Sequence, residues 1–327
     1  MKYWINMNKM DINSKIYIAG HRGLVWSAIK RKLESLGYSS LILRTHEELD
    51  LLDSNKVKEF FEAEKPEYIF LAAAKVGWIM ANNDYPAEFI YSNLQIQNNI
   101  IHNSYTNGVK KLLFLWSSCI YPKLAPQPMK EEYLLSWPLE PTNEPYAIAK
   151  IAGIKMCQSY NRQYRTEFIA CMPTNLYGPN DNFDLQSSHV LPAMIRKFHD
   201  AKKAWAESVT LWWDWTPMRE FLYVDDMADA CIFLMNRFSP TPEQNEKWEI
   251  FFNIWTWLDV TIRELAEIIQ NQVWFKWEII WDTSKPNWTP RKLQDVTRIN
   301  NLWWNHKIGL EEGISLSYAW YLNNIHQ

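Results

Sequence analysis

Glycine is scarce in this chain: nine occur among 327 residues, where an ordinary composition of about 7% would supply more than twice as many. Few positions are therefore free to take left-handed turns or to let backbone approach backbone closely. Cysteine is sparse too, at Cys119, Cys157, Cys171 and Cys231. Their spacing fits neither a metal site nor a disulfide scaffold, which suits a reducing cytoplasm. Cys157, Cys171 and Cys231 fall in apolar segments and read as core. No apolar run reaches the roughly 18 residues of a membrane span, and the start, Met1 to Asn8, has no extended apolar signal core. Neither sign of charge dominates. The net charge is −3, so electrostatics make no case for nucleic acid or an anionic membrane as partner. Repeats, low-complexity tracts and clear linkers are also lacking. What is present is a chain 47% hydrophobic, long enough for a large core and one or two domains.

The first half alternates strand and helix patterns. Lys15 to Ala19 predicts a buried strand, and Trp26 to Leu36 predicts a helix closed by Gly37. Between them lies Gly20-His21-Arg22-Gly23-Leu24-Val25. Glycine there lets backbone approach a ligand, and the free N–H groups of the helix start face an anion. Two glycines also suit an ordinary tight turn, but the first βα junction of an alternating chain favours dinucleotide binding. The next strand, 40–46, ends with Arg44 and His46. With Arg22 in the turn, these cations suit a 2′-phosphate and favour NADP; solvated surface arginines are the plainer alternative. Glu47 and Glu48 follow closely and argue for NAD. Further strands are expected at 67–73, 111–115 and 167–172, with helices at 54–63, from Pro86 to about 105, and from Tyr146 to about 164. The fold class is α/β, with a doubly wound parallel (Rossmann-type) sheet. The rhythm breaks near 180. We expect a dinucleotide-binding domain over 1–180 and, over 181–327, a smaller C-terminal substrate lobe with some segments returning to the first domain.

Tyr146 and Lys150 share one face of a helix as positions i and i+4. An ammonium beside a phenol lowers its pKa from the usual ~10 toward neutrality. Ser117, at the carboxyl end of the 111–115 strand, can hydrogen-bond the oxygen that the phenol protonates. The spacing alone is weak among 16 Tyr and 34 Lys plus Arg; its place after the glycine turn is what carries it.

Together the Gly20-x-x-Gly23 turn, Ser117 and Tyr146-x-x-x-Lys150 resemble the extended short-chain dehydrogenase/reductase family. Longer strings are similar to its GDP-sugar 3,5-epimerase-4-reductases: Ala19 to Val25, Ser117 to Pro122, Glu140 to Lys150, Pro173 to Pro179 and Pro217 to Phe221. The likeness runs from about 14 to 320. It implies action on GDP-4-keto-6-deoxy-D-mannose, with Cys119 and His189 as the proton carriers of two epimerisations. A ketone at C4 acidifies the C3 and C5 protons, and thiol and imidazole have pKa values on either side of neutrality. Read without the resemblance, Cys119 is equally a small core residue after a strand, and His189 a structural or surface histidine. The resemblance further implies NADPH, with Tyr146, Lys150 and Ser117 reducing C4. It puts Gly20, His21, Arg22, Gly23, Leu24, Val25, Trp26, Arg44, His46, Leu115, Trp116, Ser118, Pro173, Thr174, Asn175 and Leu176 at the cofactor. Lys197, Trp212, Arg219 and Asn287 fall at the nucleotide-sugar. A homodimer through the helices near 86–105 and 146–164 is implied as well. Two rivals remain at this stage: a nucleotide-sugar 4-epimerase or 4,6-dehydratase, and a non-catalytic nucleotide-sugar binding module.

In one respect the chain departs from the family pattern. It holds 19 tryptophans, and several stand where that pattern has glycine: Trp26, Trp78, Trp116, Trp137, Trp213, Trp215, Trp255, Trp257 and Trp288. Tryptophan tolerates neither positive φ nor close backbone approach cheaply. At position 26, the third glycine of the turn, an indole is expected to displace the helix or swing outward. Overpacking costs ~1–3 kcal/mol per site, against about 5–15 kcal/mol for a whole domain. The expectation is a chain that binds NADP weakly or folds poorly.

Overall fold

The computed structural model describes residues 9–20, 23–77, 79–212, 215–284 and 291–325. The chain opens with β1 (Ile16–Ala19), α1 (Leu24–Ser35), β2 (Leu41–Ile42), α2 (Ser54–Glu64), β3 (Tyr68–Leu71), α3 (Ile79–Asp84), α4 (Pro86–Thr106) and β4 (Lys111–Leu115). It continues through α5 (Glu144–Tyr164), β5 (Phe168–Pro173), β6 (Asn175–Tyr177), α6 (Val190–Lys203), β7 (Ser208–Trp212), β8 (Met218–Tyr223), α7 (Val224–Arg237) and α8 (Pro242–Glu246). Last come β9 (Phe251–Ile254), β10 (Asp259–Thr261), α9 (Ile262–Val273), β11 (Glu278–Asp282), β12 (Arg291–Lys292), α10 (Thr297–Asn300) and α11 (Leu310–Asn324).

Six strands form one sheet in the order β2-β1-β3-β4-β5-β9, all pairs parallel. Its strands read as unbroken apolar runs because both faces are covered. Ile16, Ile18, Phe70, Leu113, Ile169 and Cys171 point to a core shared with α1 and α7. Their alternating neighbours Tyr17, Ile69, Leu71, Leu112, Phe114 and Ala170 meet α2, α4 and α5. Local signals start the helices. The Asp53 carboxylate caps α2 by accepting from the Asn55 and Lys56 amides, and prolines stand in the first turns of α4 and α5. α5 starts two residues before Tyr146 because a 3-10 turn, Pro141–Asn143, leads into it.

The edge strand β2 is shorter than the sequence pattern predicts. After Ile42 the chain leaves the sheet, and at Thr45 it turns, with the Thr45 amide donating to Glu48 Oε2 at 2.7 Å. Beyond β2 it crosses back over β1 to add β3 on the other side. The strand order reverses there, and the carboxyl ends of β1 and β3 flank the crevice where such sheets bind ligands.

The remaining strands are short. β10, β8 and β12 form a second sheet, which β6 joins through β8. β7 and β11 pair parallel. α6, α9 and α11 pack around a third core with Phe198, Leu265, Ile269 and Tyr321.

Candidate active site

At the first βα turn, Gly20 has φ +143°. A Cβ there would lie 3.2 Å from the Ala72 carbonyl carbon and from the Ala73 nitrogen. Only glycine lets β1 end this close to β3. Gly23 begins α1 with no side-chain cap and no acidic residue in the first turn. Its leading N–H groups are open to an anion, so this end of the sheet fits a dinucleotide pyrophosphate. His21 and Arg22 lie outside the described residues.

Trp26 does not swing out into solvent. Its indole packs against the core between α1 and the sheet, and Nε1 donates to the Ile18 carbonyl at 3.0 Å. Trp116 is also buried, edge-on to Phe251 at 5.3 Å, and its Nε1 has no hydrogen-bond partner among the described residues. Trp255 is buried likewise. Trp215 and Trp257 do take positive φ, 62° and 67°. Trp78, Trp213 and Trp288 fall outside the described residues.

Cations at the end of β2 are placed less simply than the sequence suggests. Arg44 pairs with Glu64 and lies 5.7 Å from the Phe60 ring. To grip a 2′-phosphate it would have to leave that carboxylate. His46 is 3.7 Å from Asp50.

β4 delivers Leu115 and then Ser117, which caps the short turn Ser118–Ile120 in extended conformation. The Ser117 hydroxyl stands near enough to the Cys119 sulfur to bear on its protonation. Opposite stands α5, held close because Gly153 has no side chain: a Cβ there would come 2.5 Å from the Phe114 ring. α5 brings Tyr146 and Lys150 to the end of β4. Lys150 is 2% exposed, and its ammonium lies 4.9 Å from the Phe114 ring centre and 5.7 Å from that of Tyr146.

Burial governs the electrostatics here. It pulls Lys150 down to about 8, against the Cys119 sulfur, which favours the charge. It pushes the Cys119 thiol up, opposed by Lys292, the Ser117 hydroxyl and Lys150. Tyr146 also moves up, by burial first and then by Cys119. The expected drop toward neutrality is therefore not found, because loss of water around the phenol dominates. A phenol that keeps its proton is a donor, which is what ketone reduction requires.

Other expected residues lie on adjoining segments. Pro173 ends β5, the Thr174 hydroxyl donates to the Glu220 carbonyl at 3.0 Å, and Asn175 Nδ2 donates to the same oxygen at 2.8 Å. Leu176 packs on the core from β6. This loop is thus tied to the strand that carries Arg219. Arg219 is pulled down to about 10 by burial and donates to the Met218 carbonyl at 2.7 Å. Lys197 donates to the Thr210 carbonyl at 3.3 Å. His189 precedes α6 with its ring open to solvent, yet it is crowded enough that desolvation lowers its pKa. No hydrogen bond joins it to Cys119 among the described residues. Asn287 lies outside the described residues, as does the Trp212 side chain. Lys292 was missed by sequence reasoning; its position rests on strand pairing that no local motif signals. A polar groove of about 600 Å³ along α2, α4 and α5, lined by Lys58, Asn99, His102 and Tyr160, contains none of these groups.

A parallel sheet with a glycine turn at its crevice, and a serine delivered to a Tyr–Lys helix, defines the short-chain dehydrogenase/reductase class in its extended form. The chain belongs to the NAD dependent epimerase/dehydratase family, which it matches over residues 16–250. It is 56% identical to a putative GDP-L-fucose synthase 2 of Arabidopsis thaliana, covering 97% of this chain and 94% of that protein. It is 55% identical to the GDP-L-fucose synthase of Escherichia coli strain K12, covering 95% and 97%. Among solved structures it resembles a GDP-6-OMe-4-keto-L-xylo-heptose reductase from Campylobacter jejuni at TM-score 0.90 and 40% identity, covering 97% and 99%. A GDP-mannoheptose C4 reductase from the same organism, with NADP bound, matches at TM-score 0.86 and 41% identity, covering 95% and 99%.

Proposed function

We propose that this protein converts GDP-4-keto-6-deoxy-D-mannose to GDP-L-fucose by epimerising C3 and C5 and then reducing the C4 ketone. The carrying observation is the convergence of Ser117, Cys119, Tyr146 and Lys150 at the carboxyl end of β4, together with identities of 55–56% to GDP-L-fucose synthases. NADPH, when bound, supplies the hydride for C4. The chain's own groups do the rest. Gly20 and the α1 N-terminus hold the pyrophosphate, and Trp26, Leu115, Trp116, Ser118 and the Pro173–Leu176 loop line the cofactor. Lys150 holds the ribose. Ser117 donates to the C4 oxygen, and Tyr146 delivers the proton that oxygen gains on reduction. Cys119 and His189 carry protons to and from C3 and C5, the ketone having made those carbons acidic. Arg219 and Lys197 face the diphosphate and sugar. The division near 180, into a cofactor domain and a substrate lobe that close on each other, belongs to the same proposal. So do a homodimer through α4 and α5 and a cytoplasmic setting that keeps Cys119 a free thiol.

The test is incubation with GDP-4-keto-6-deoxy-D-mannose and NADPH in heavy water. Nicotinamide absorbance should fall and deuterium should enter C3 and C5 of a GDP-L-fucose product. Cys119→Ser should slow deuterium entry by roughly 10²–10⁴-fold and keep some ketone reduction. Tyr146→Phe should block reduction and leave exchange running. Reduction without any deuterium at C3 or C5 would make the protein a plain 4-reductase and end the proposal.

A further inference from the structure

The turn that carries Cys119 is held only loosely by its own backbone. The Ile120 amide donates to the Ser117 carbonyl and the Tyr121 amide to that of Ser118, each at 3.4 Å, well beyond the usual separation of about 2.9–3.0 Å. Such a turn needs a fastening from outside if a side chain on it is to keep a fixed place. Tyr121 supplies one. Its ring is buried in the core that α5 covers, and its hydroxyl donates to Asn253 Oδ1 at 2.7 Å.

Asn253 is the polar residue of an otherwise apolar strand. β9 reads Phe-Phe-Asn-Ile, and the asparagine is fully buried. A buried amide is costly unless its polar atoms are paired, and these are. Nδ2 donates to the Met129 carbonyl at 3.0 Å and to the Asp295 carbonyl at 2.8 Å. The Asn253 backbone amide donates to Glu131 Oε1 at 3.1 Å. With both Nδ2 protons given to carbonyls, Oδ1 is the side-chain atom left, and it meets the Tyr121 hydroxyl. One residue thus joins the Cys119 turn to residues 129–131 and to Asp295. Those two segments are also laced to each other. The Met129 amide donates to the Leu293 carbonyl and the Asp295 amide to the Met129 carbonyl, both at 2.8 Å. They lead on to β8, because the Gln294 amide donates to Glu220 Oε2 at 3.3 Å, next to Arg219.

We propose that Asn253 is a positioning residue of the epimerisation centre, which through the Tyr121 hydroxyl sets the Cys119 turn in register with the wall that leads to Arg219. The inference rests on the reading of Cys119 as a proton carrier. Ser117 follows directly from β4, and Tyr146 and Lys150 are placed by the close approach of α5 at Gly153. Loss of the tie should therefore strike proton exchange at C3 and C5 and spare reduction at C4. A fastening that served stability alone would not separate the two.

Tyr121→Phe removes the hydroxyl and keeps the ring. Wild type and variant, each confirmed folded by its melting curve, are incubated with GDP-4-keto-6-deoxy-D-mannose and NADPH in heavy water. Deuterium gained at C3 and C5 per NADPH consumed should fall about tenfold in the variant, with the KM for NADPH unchanged. A second readout needs no substrate. Cys157, Cys171 and Cys231 are buried, so iodoacetamide should label Cys119 first, and the freed turn should be labelled severalfold faster at one fixed pH. Asn253→Ala should act in the same direction. In that background Tyr121→Phe should add nothing, because the phenol has already lost its acceptor. If Asn253→Ala does not fold, Tyr121→Phe decides by itself. A Tyr121→Phe enzyme that melts lower but keeps the wild-type deuterium ratio and labelling rate overturns the proposal and leaves Asn253 a packing residue. A wild type that consumes NADPH without taking up deuterium ends the reading of Cys119 and this inference with it. The two failures are distinct, since one is read from the variant and the other from the wild type alone.

Discussion

Glu220 concentrates the cost of building a polar cleft inside a packed protein. It is fully buried next to Arg219. Its Oε2 accepts from the Gln294 amide at 3.3 Å, and Oε1 has no hydrogen-bond partner among the described residues. Burial pushes its pKa up to about 8, with Asp259 adding to the rise and the Gln294 amide opposing it. Its folded pKa thus lies above the ~4.3 of an exposed glutamate. Between these values the unfolded chain has lost the proton that the native chain keeps, so stability falls as pH rises. The contribution is complete below about pH 4 and gone above about pH 8. Glu220→Gln keeps the shape and removes the titration. Its melting temperature should exceed that of the wild type at pH 8.5 by a few degrees and match it near pH 4. Equal pH slopes in the two proteins would show that Glu220 carries no such burden.

At the scale of elements, tryptophan ends helices where glycine is the usual residue. Trp205 follows α6 at φ 54°, Trp274 closes α9 at φ 62°, and Trp303 ends the turn after α10 at φ 69°. The Ala206 amide reaches back to the Ala201 carbonyl and the Phe275 amide to that of Gln270, the hydrogen-bond pattern of a left-handed helix stop. A side chain in that conformation costs roughly 1–2 kcal/mol. The three indoles are 79, 73 and 85% exposed, so little burial offsets it. Trp205→Gly, Trp274→Gly and Trp303→Gly should each stabilise the protein by about 1 kcal/mol and together by nearly the sum, the sites being on separate elements. Urea midpoints measure this; unchanged midpoints would mean the indoles hold these turns by contacts that compensate. The sequence pattern singled out Trp215 and Trp257 but not these three, whose left-handed φ only the finished helices reveal. The same boundary separates what was legible from what was not. β1, β3, β4 and β5 were readable because strands buried on both faces are unbroken apolar runs. β12 is two residues long, and its place beside β8 depends on pairing across more than seventy positions. Ser117, Tyr146 and Lys150 lie on the legible elements, whereas Lys292 lies on one that only tertiary structure creates.

At the scale of the molecule, α4 and α5 pack side by side over the central sheet and turn a broad flank outward. Its exposed residues include Tyr91 at 64%, Ile148 at 43% and Tyr164 at 42%, between polar side chains such as Asn98, His102 and Ser159. Large aromatic and aliphatic groups amid polar ones suit an interface between copies rather than a face left in water. A two-fold contact would place the same patch on both partners, so one change strikes it twice. Ile148 sits two residues from Tyr146 on the opposite side of α5, close enough to report on the site yet pointing away from Lys150. Ile148→Glu sets two carboxylates against each other across that contact. The wild type should sediment at twice its 39.0 kDa chain mass, and the variant as single chains with the same central sheet by circular dichroism. A wild type that stays at one chain mass at micromolar concentration would remove the dimer. If the variant dissociates and still reduces the 4-keto sugar at the wild-type rate, α5 holds Tyr146 and Lys150 through Gly153 and Phe114 alone, and each subunit works by itself.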